Sequence, residues 1–386
     1  MGKSGILKED IMKMSKVLLA SSAILLLVSC GRIDSFEGLY SRAKGEEIVF
    51  GVSSNGGGVF TKSVYSGEEI AQDSKNYERI DWVEGEELSL ACAQVSDIKT
   101  FKYEVVSVES SGIQSKAGIT HDAGDEGLRW GDDGDYYFYA QSPASTTLMT
   151  SGHAQFVLPK NQTGAGSWNS GNTKYTVAPN PDYMHMTSYS VVTKNGSTPA
   201  PPVDLPFSML PTVIEFTLSG EADMAVKNIG LISSQYLTGR SEVDIASQAK
   251  STESPKPEFP ECTITSSTPE FKEAWLSMTS DGSPVEIEKG QSLTGTLFMN
   301  PNDITQLSFC ITTKDDDAET YTTFKTSLKY KDGDWLKFEA HKKYRIKGVI
   351  VPENVLWEII DGEVFVTPLV TVKSTDDKDY FDTIFE

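Results

Sequence analysis

From residue 46 onward, apolar side chains recur at every second position rather than at every third or fourth, which is the spacing of a strand with one face buried. Ile48, Phe50 and Val52 share one face, and Ile214, Phe216 and Leu218 share another. The same alternation predicts strands over 87–95, 101–108, 135–142, 226–234, 292–299, 307–313, 322–330 and 342–351. Only 270–278, EFKEAWLSM, reads as a short turn or helix. Asp332-Gly333 and Asp361-Gly362 each fall between two strand-like runs, a pair of residues suited to a tight hairpin turn. Many short strands over this length predict an all-β protein built of antiparallel β-sandwiches.

Prolines 199, 201, 202 and 206 crowd one stretch and divide the pattern. Proline cannot donate to a central ladder, so residues 193–203 read as a linker between two halves of similar size. The expected organisation is a leader at 1–29, a polar tether at 30–45, an N-terminal sandwich at 46–192 and a C-terminal sandwich at 204–352. An extension at 353–386 follows. It holds two more strand-like runs, LWEII and EVFVTPLVTV, either a hairpin on its own domain or a strand offered to another molecule.

The run VLLASSAILLLV, Val17 to Val28, is too short to cross a bilayer and follows Lys13 and Lys16, as the core of a signal peptide does. LVSC, Leu27 to Cys30, resembles the bacterial lipobox, which implies an exported chain acylated at Cys30. Gly31 in place of Asp favours the outer membrane or cell surface. The net charge of −21 repels phosphate backbones, which makes nucleic acid an improbable partner. Of the other cysteines, Cys92, Cys262 and Cys310, the last two lie in strand-like runs of one half and are the candidate disulfide in an oxidising compartment.

Recognisable catalytic chemistry is sparse. His121, His153, His185 and His341 are far apart and form no HExxH, no GxSxG occurs, and the Ser247 to Lys250 match to SxxK lacks its companion motifs. The acidic runs at 131–135, 314–319 and 374–382 do not follow calcium-loop spacing and read as solvated turns. No enzyme, metal or cofactor is expected. Trp168, in a loop rich in Gly, Ser and Asn, is a candidate glycan contact, or else a Trp folded back on the core.

Taken in order, several of these pieces resemble the fimbrillin family, the lipoprotein pilins of the Bacteroidetes: the lipobox, then EEIVF with a loop ending in TKS, then YYFYAQSP at 136–143, DYMHMTS at 182–188, VDLPFSMLPTVIEFTL at 203–218 and LKFEAHKKYRIKGVIV at 336–351. The resemblance implies two tandem transthyretin-like sandwiches. It also implies assembly with other fimbrial subunits by β-strand donation, in which a first strand is removed by proteolysis and a neighbour's C-terminal strand fills its place. Lys62 stands near the position of the family's cleavage Arg, and Arg42 lies ahead of the strand, so both a processed stalk subunit and an uncut anchor, tip or accessory subunit stay open. Contacts with host or bacterial surface molecules would follow. A surface glycan-binding lipoprotein that does not polymerise is the alternative.

Overall fold

The computed structural model describes residues 45–54, 64–72, 75–95, 100–111, 114–121, 127–196, 202–247, 261–264, 271–304, 306–314, 321–330, 336–338, 343–351, 354–359, 364–366 and 370–374. The expected sites Cys30, Arg42 and Lys62 lie outside them.

The chain is all-β. The described strands begin with β1 (Phe50–Ser54), β2 (Val64–Gln72), β3 (Lys75–Asp81), β4 (Glu87–Ala91), β5 (Phe101–Ser111), β6 (Gln114–His121) and β7 (Gly134–Ser142). Four short strands follow: β8 (His153–Leu158), β9 (Asn161–Thr163), β10 (Gly166–Trp168) and β11 (Lys174–Val177). A 3-10 turn at Pro181–Tyr183 leads into β12 (Met186–Lys194) and β13 (Val203–Met209). Next come β14 (Thr212–Gly220), β15 (Met224–Ser233), β16 (Gly239–Asp244), β17 (Glu261–Ile264), β18 (Glu273–Ser277), β19 (Val285–Ile287) and β20 (Ser292–Met299). The last strands are β21 (Asn302–Ile304), β22 (Leu307–Lys314), β23 (Tyr321–Tyr330), β24 (Leu336–Phe338), β25 (Lys343–Val351), β26 (Asn354–Ile359), β27 (Val364–Val366) and β28 (Val370–Ser374).

Seven strands, in the order β1-β13-β12-β7-β4-β5-β6, close on themselves as a barrel, because β1 pairs with both β13 and β6. Where the pattern predicts an open sandwich, closure removes both sheet edges. Alternation supplies the filling: Val203, Leu205, Phe207 and Met209 of β13 are buried, with Asp204, Pro206 and Ser208 on the other face. Trp82 meets Phe207 edge to face at 5.3 Å, and Trp130 meets Tyr136 at 4.9 Å. The second half is a sandwich of a six-stranded sheet, β10-β11-β20-β14-β25-β26, and an eight-stranded sheet, β27-β23-β22-β15-β18-β9 with β19 on β15 and β28 on β23. Their facing side chains interlock, as in the Phe216 to Phe309 contact at 4.9 Å.

Alternation tells which face of a strand is apolar but not which strand lies beside it, and the departures from expectation share that cause. Val203–Met209, expected to open the second half, completes the barrel, and the first strand of the sandwich is β14. Part of the stretch 153–177, expected in the first half, crosses over: β9 pairs with β18 and β11 with β20, whereas β8 pairs with β16 in a three-stranded sheet and packs Ala154, Phe156 and Leu158 into the same core cluster as the barrel. Gln162 pins this crossing. Fully buried, it donates to Phe298 O at 2.6 Å and accepts from Phe298 N at 2.9 Å.

EFKEAWLSM contains strand β18 instead of a helix. Ala274, Trp275 and Leu276 are buried on both faces, and the Trp275 ring lies so close over Gly230 that a Cβ there would sit 2.3 Å from it. Both Asp-Gly pairs lie outside the described residues, and the strands that flank them are not paired with each other. β23 and β24 lie in different sheets, and so do β26 and β27.

The expected Cys262–Cys310 bridge is not made. Cys310 is a free, buried thiol in β22 of the eight-stranded sheet, whereas Cys262 lies in β17 of a separate three-stranded sheet, β17-β16-β8. Burial pushes the Cys310 thiol up to about 12 and the free thiol of Cys92, in the barrel core, to about 11.

Candidate functional site

The sequence marks the first strand of the barrel, and the fold pairs it on both edges. It runs parallel to β13, with Phe50 opposite Val203, Val52 opposite Leu205 and Ser54 opposite Phe207. On its other edge it runs antiparallel to β6, with Gly51 opposite Gly118 and Ser53 opposite Lys116. Its alternation is sharp: Ile48, Phe50 and Val52 are 2%, 3% and 1% exposed, whereas Val49 is 67% exposed. Phe50 meets Tyr103 at 5.3 Å and Phe138 at 5.4 Å, both edge to face, so its ring sits at the barrel's aromatic centre.

Proline in the partner strand fits this pairing. Val203 N donates to Val49 O at 2.9 Å, so strand alternation turns the N–H of every second residue of β13 toward β1. The missing N–H of Pro206 therefore points to the other side, where the described pairing with β12 has ended at Phe207. Pro206 costs the first strand no rung.

The chain ahead of β1 is clasped as well. Ile48 N donates to Leu128 O and Trp130 N to Glu46 O, each at 2.9 Å, and Glu47 and Arg129 form a bridge between them. Glu47 Oε1 approaches His121 Nε2 at 3.2 Å, and Arg129 Nη1 donates to Gly45 O at 3.5 Å. Gly45 packs directly on the main chain: a Cβ there would lie 1.8 Å from Trp130 O. Sequence reasoning missed this clasp. Leu128 and Trp130 alternate around Arg129, but three residues are too short a run to announce a strand.

The acidic run at 131–135 closes the neighbouring end of β7 and β12. Lys194 Nζ donates to Gly131 O at 2.8 Å and reaches Asp133 Oδ1 at 3.3 Å, and Thr193 Oγ1 donates to Asp135 Oδ1 at 2.6 Å. Hydrogen bonds from the Gly196 backbone and the Lys194 side chain hold the Asp133 carboxyl below its ordinary range. Among the described residues no group of three or more His, Cys, Asp or Glu is arranged to hold a metal ion.

Trp168 is not in a loop but in β10, half-buried, with its ring against Tyr175 at 5.3 Å. That contact commits one edge of the ring to the sandwich core. The C-terminal runs are laid on the sandwich itself: β26 pairs with β25 at the rim of the six-stranded sheet, and β27 and β28 pair with β23.

No protein-family model matches the chain, and no curated protein matches its sequence. Solved structures do. A protein provisionally assigned to cell adhesion from Bacteroides uniformis ATCC 8492 is similar at 14% identity and a TM-score of 0.47, over 83% of this chain and 98% of that one. A second provisional cell adhesion protein, from Bacteroides ovatus ATCC 8483, is similar at 11% identity and 0.44, over 86% and 99%. A fimbrial assembly protein from Parabacteroides distasonis ATCC 8503 is similar at 11% and 0.39, over 83% and 100%. These neighbours are the kind of protein that the sequence resemblance names. At such identities no residue role passes from them to this chain.

Proposed function

We propose that this chain is a non-enzymatic subunit of a bacterial surface fimbrium, structural or accessory, anchored at the outer membrane by a lipid on Cys30 and joined to other subunits by β-strand donation in support of adhesion. One observation supports the reading: the first of the described strands is not an edge but fills a slot between β13 and β6, with Ile48, Phe50 and Val52 buried. Taking out residues 45–54 would expose an apolar trough flanked by two unpaired edges. An extended segment of alternating apolar residues is what such a trough accepts, with ladder bonds giving affinity and alternate side chains giving selectivity. The C-terminal segment 353–386 supplies strands of that kind. Tandem transthyretin-like domains belong to the same proposal.

Two experiments test it. The N-terminus of the protein on cells, read by mass spectrometry, is expected to be an acylated Cys30 for an anchor or accessory subunit, or Ser63 for a processed one. An unacylated chain beginning between Gly31 and Glu47 would contradict both. Deleting 353–386 is expected to abolish assembly while leaving the barrel folded, and assembly that persists without those residues would remove them as donor.

A further inference from the structure

We infer that the β1–β13 ladder is a mechanical clamp, loaded in shear when the chain is pulled from its N-terminal end against its second half. The topology carries this. Because β1 and β13 are parallel neighbours, the chain enters β1 at one end of the barrel and leaves β13 at the other. The register shows that the second half hangs from that far end. Met186 is opposite both Met209 and Ser142, so the end of β7, the start of β12 and the end of β13 share it. Those are the three points from which the chain passes to β8, from β11 and to β14.

A pull on Gly45 therefore draws β1 backward along its own axis while the second half draws β13 forward. Relative sliding strains all the rungs of the ladder together, and the antiparallel β6 on the other edge is sheared in the same motion. Buried Ile48, Phe50 and Val52, with the Glu46–Trp130 and Ile48–Leu128 bonds, must give way in the same event. A strand peeled from one end breaks its rungs singly, so the same bonds resist far less. The second half cannot relieve the load by swinging off, because β9 and β11 are stitched into its two sheets. The inference rests on the proposed N-terminal anchoring only for the source of the force. The mechanical test requires no lipid and no partner.

Single-molecule pulling on the full chain, with Cys30→Ser and Cys262→Ser to remove other attachment points, distinguishes the two geometries. Handles at Glu46→Cys and Glu221→Cys, two exposed positions, load the ladder in shear, Glu221 lying just past the far end of β14. Handles at Glu46→Cys and the exposed Asn195→Cys, just past the end of β12 beside the entry of β1, peel it. At equal loading rate the shear pair is expected to rupture at a severalfold higher force. Equal forces, or a stronger peel geometry, would overturn the inference. Ser53→Pro removes an N–H that alternation turns toward β13, and it is expected to lower the shear force alone; an equal drop in both geometries would count against the clamp. If that variant does not fold, the comparison of the two handle pairs still decides.

Discussion

The first and the last of the described strands are each added to a larger sheet, yet the sheets hold them differently. β1 is an interior member of a closed barrel, paired on both edges and with one face in the aromatic core. β26, β27 and β28 lie at the margins of the sandwich, β26 pairing with β25 and the other two sharing β23. Loss of a closing strand opens two edges and a core, whereas loss of a marginal strand shortens a sheet. The position in the sheet, more than the sequence of the strand, sets what its removal costs.

The largest expected effect follows from that contrast. Deleting residues 45–54 removes three fully buried side chains, each contributing about 1.5–3 kcal/mol, and the total is comparable to the whole stability of a typical domain. The barrel is expected to lose its cooperative unfolding transition in urea. Deleting 354–374 is expected to leave the barrel's transition in place, and equal damage from both deletions would erase the distinction.

Single positions sharpen it. Phe50→Ala is expected to cost about 3–5 kcal/mol by denaturant unfolding, as for other buried aromatic truncations. Val49→Ala, one residue away on the exposed face, should stay within about 0.5 kcal/mol. Gly45→Ala forces a Cβ into the Trp130 carbonyl and is expected to cost about 1–3 kcal/mol by the same measurement, because main chain rather than a flexible side chain must move.

The smallest effect separates the two halves by pH. In the folded chain burial keeps the thiols of Cys92 and Cys310 neutral up to about 11 and about 12, whereas the unfolded chain releases those protons near the ordinary thiol range. Above pH 9 the unfolded state then binds fewer protons than the folded one, so stability falls as pH rises from 9 toward 11. Cys92→Ala should flatten that slope for the barrel and Cys310→Ala for the sandwich, measured as urea midpoints at pH 8 and pH 10.

Much of the fold was legible in the chain because a strand's burial is written in its own alternation. TVIEFTLSG and SLTGTLFM became β14 and β20, and IVFGV became the buried strand it resembled. What stayed hidden depends on partners. Nothing local in VDLPFSM says that it pairs with residues 50–54 some 150 positions away, and nothing in KYTV says that it leaves the half in which it lies to pair with β20. The expected Cys262–Cys310 pairing fails for the same reason, since two strand-like runs in one half need not share a sheet. At the candidate site the strand was visible, but the clasp of Gly45, Glu47, Arg129 and His121 was not, because it is made of single residues brought together by closure of the barrel.

The central claim is that the slot of β1 accepts a donated strand. It is tested most directly by titrating a chain that begins at Ser63 and ends at Pro352 with a peptide of residues 353–386, following binding by calorimetry and unfolding by circular dichroism. The expected result is one peptide bound per chain and recovery of a cooperative barrel transition, with a peptide of residues 45–54 competing for the same place. A truncated chain that unfolds as cooperatively as the full one and binds neither peptide would contradict the account.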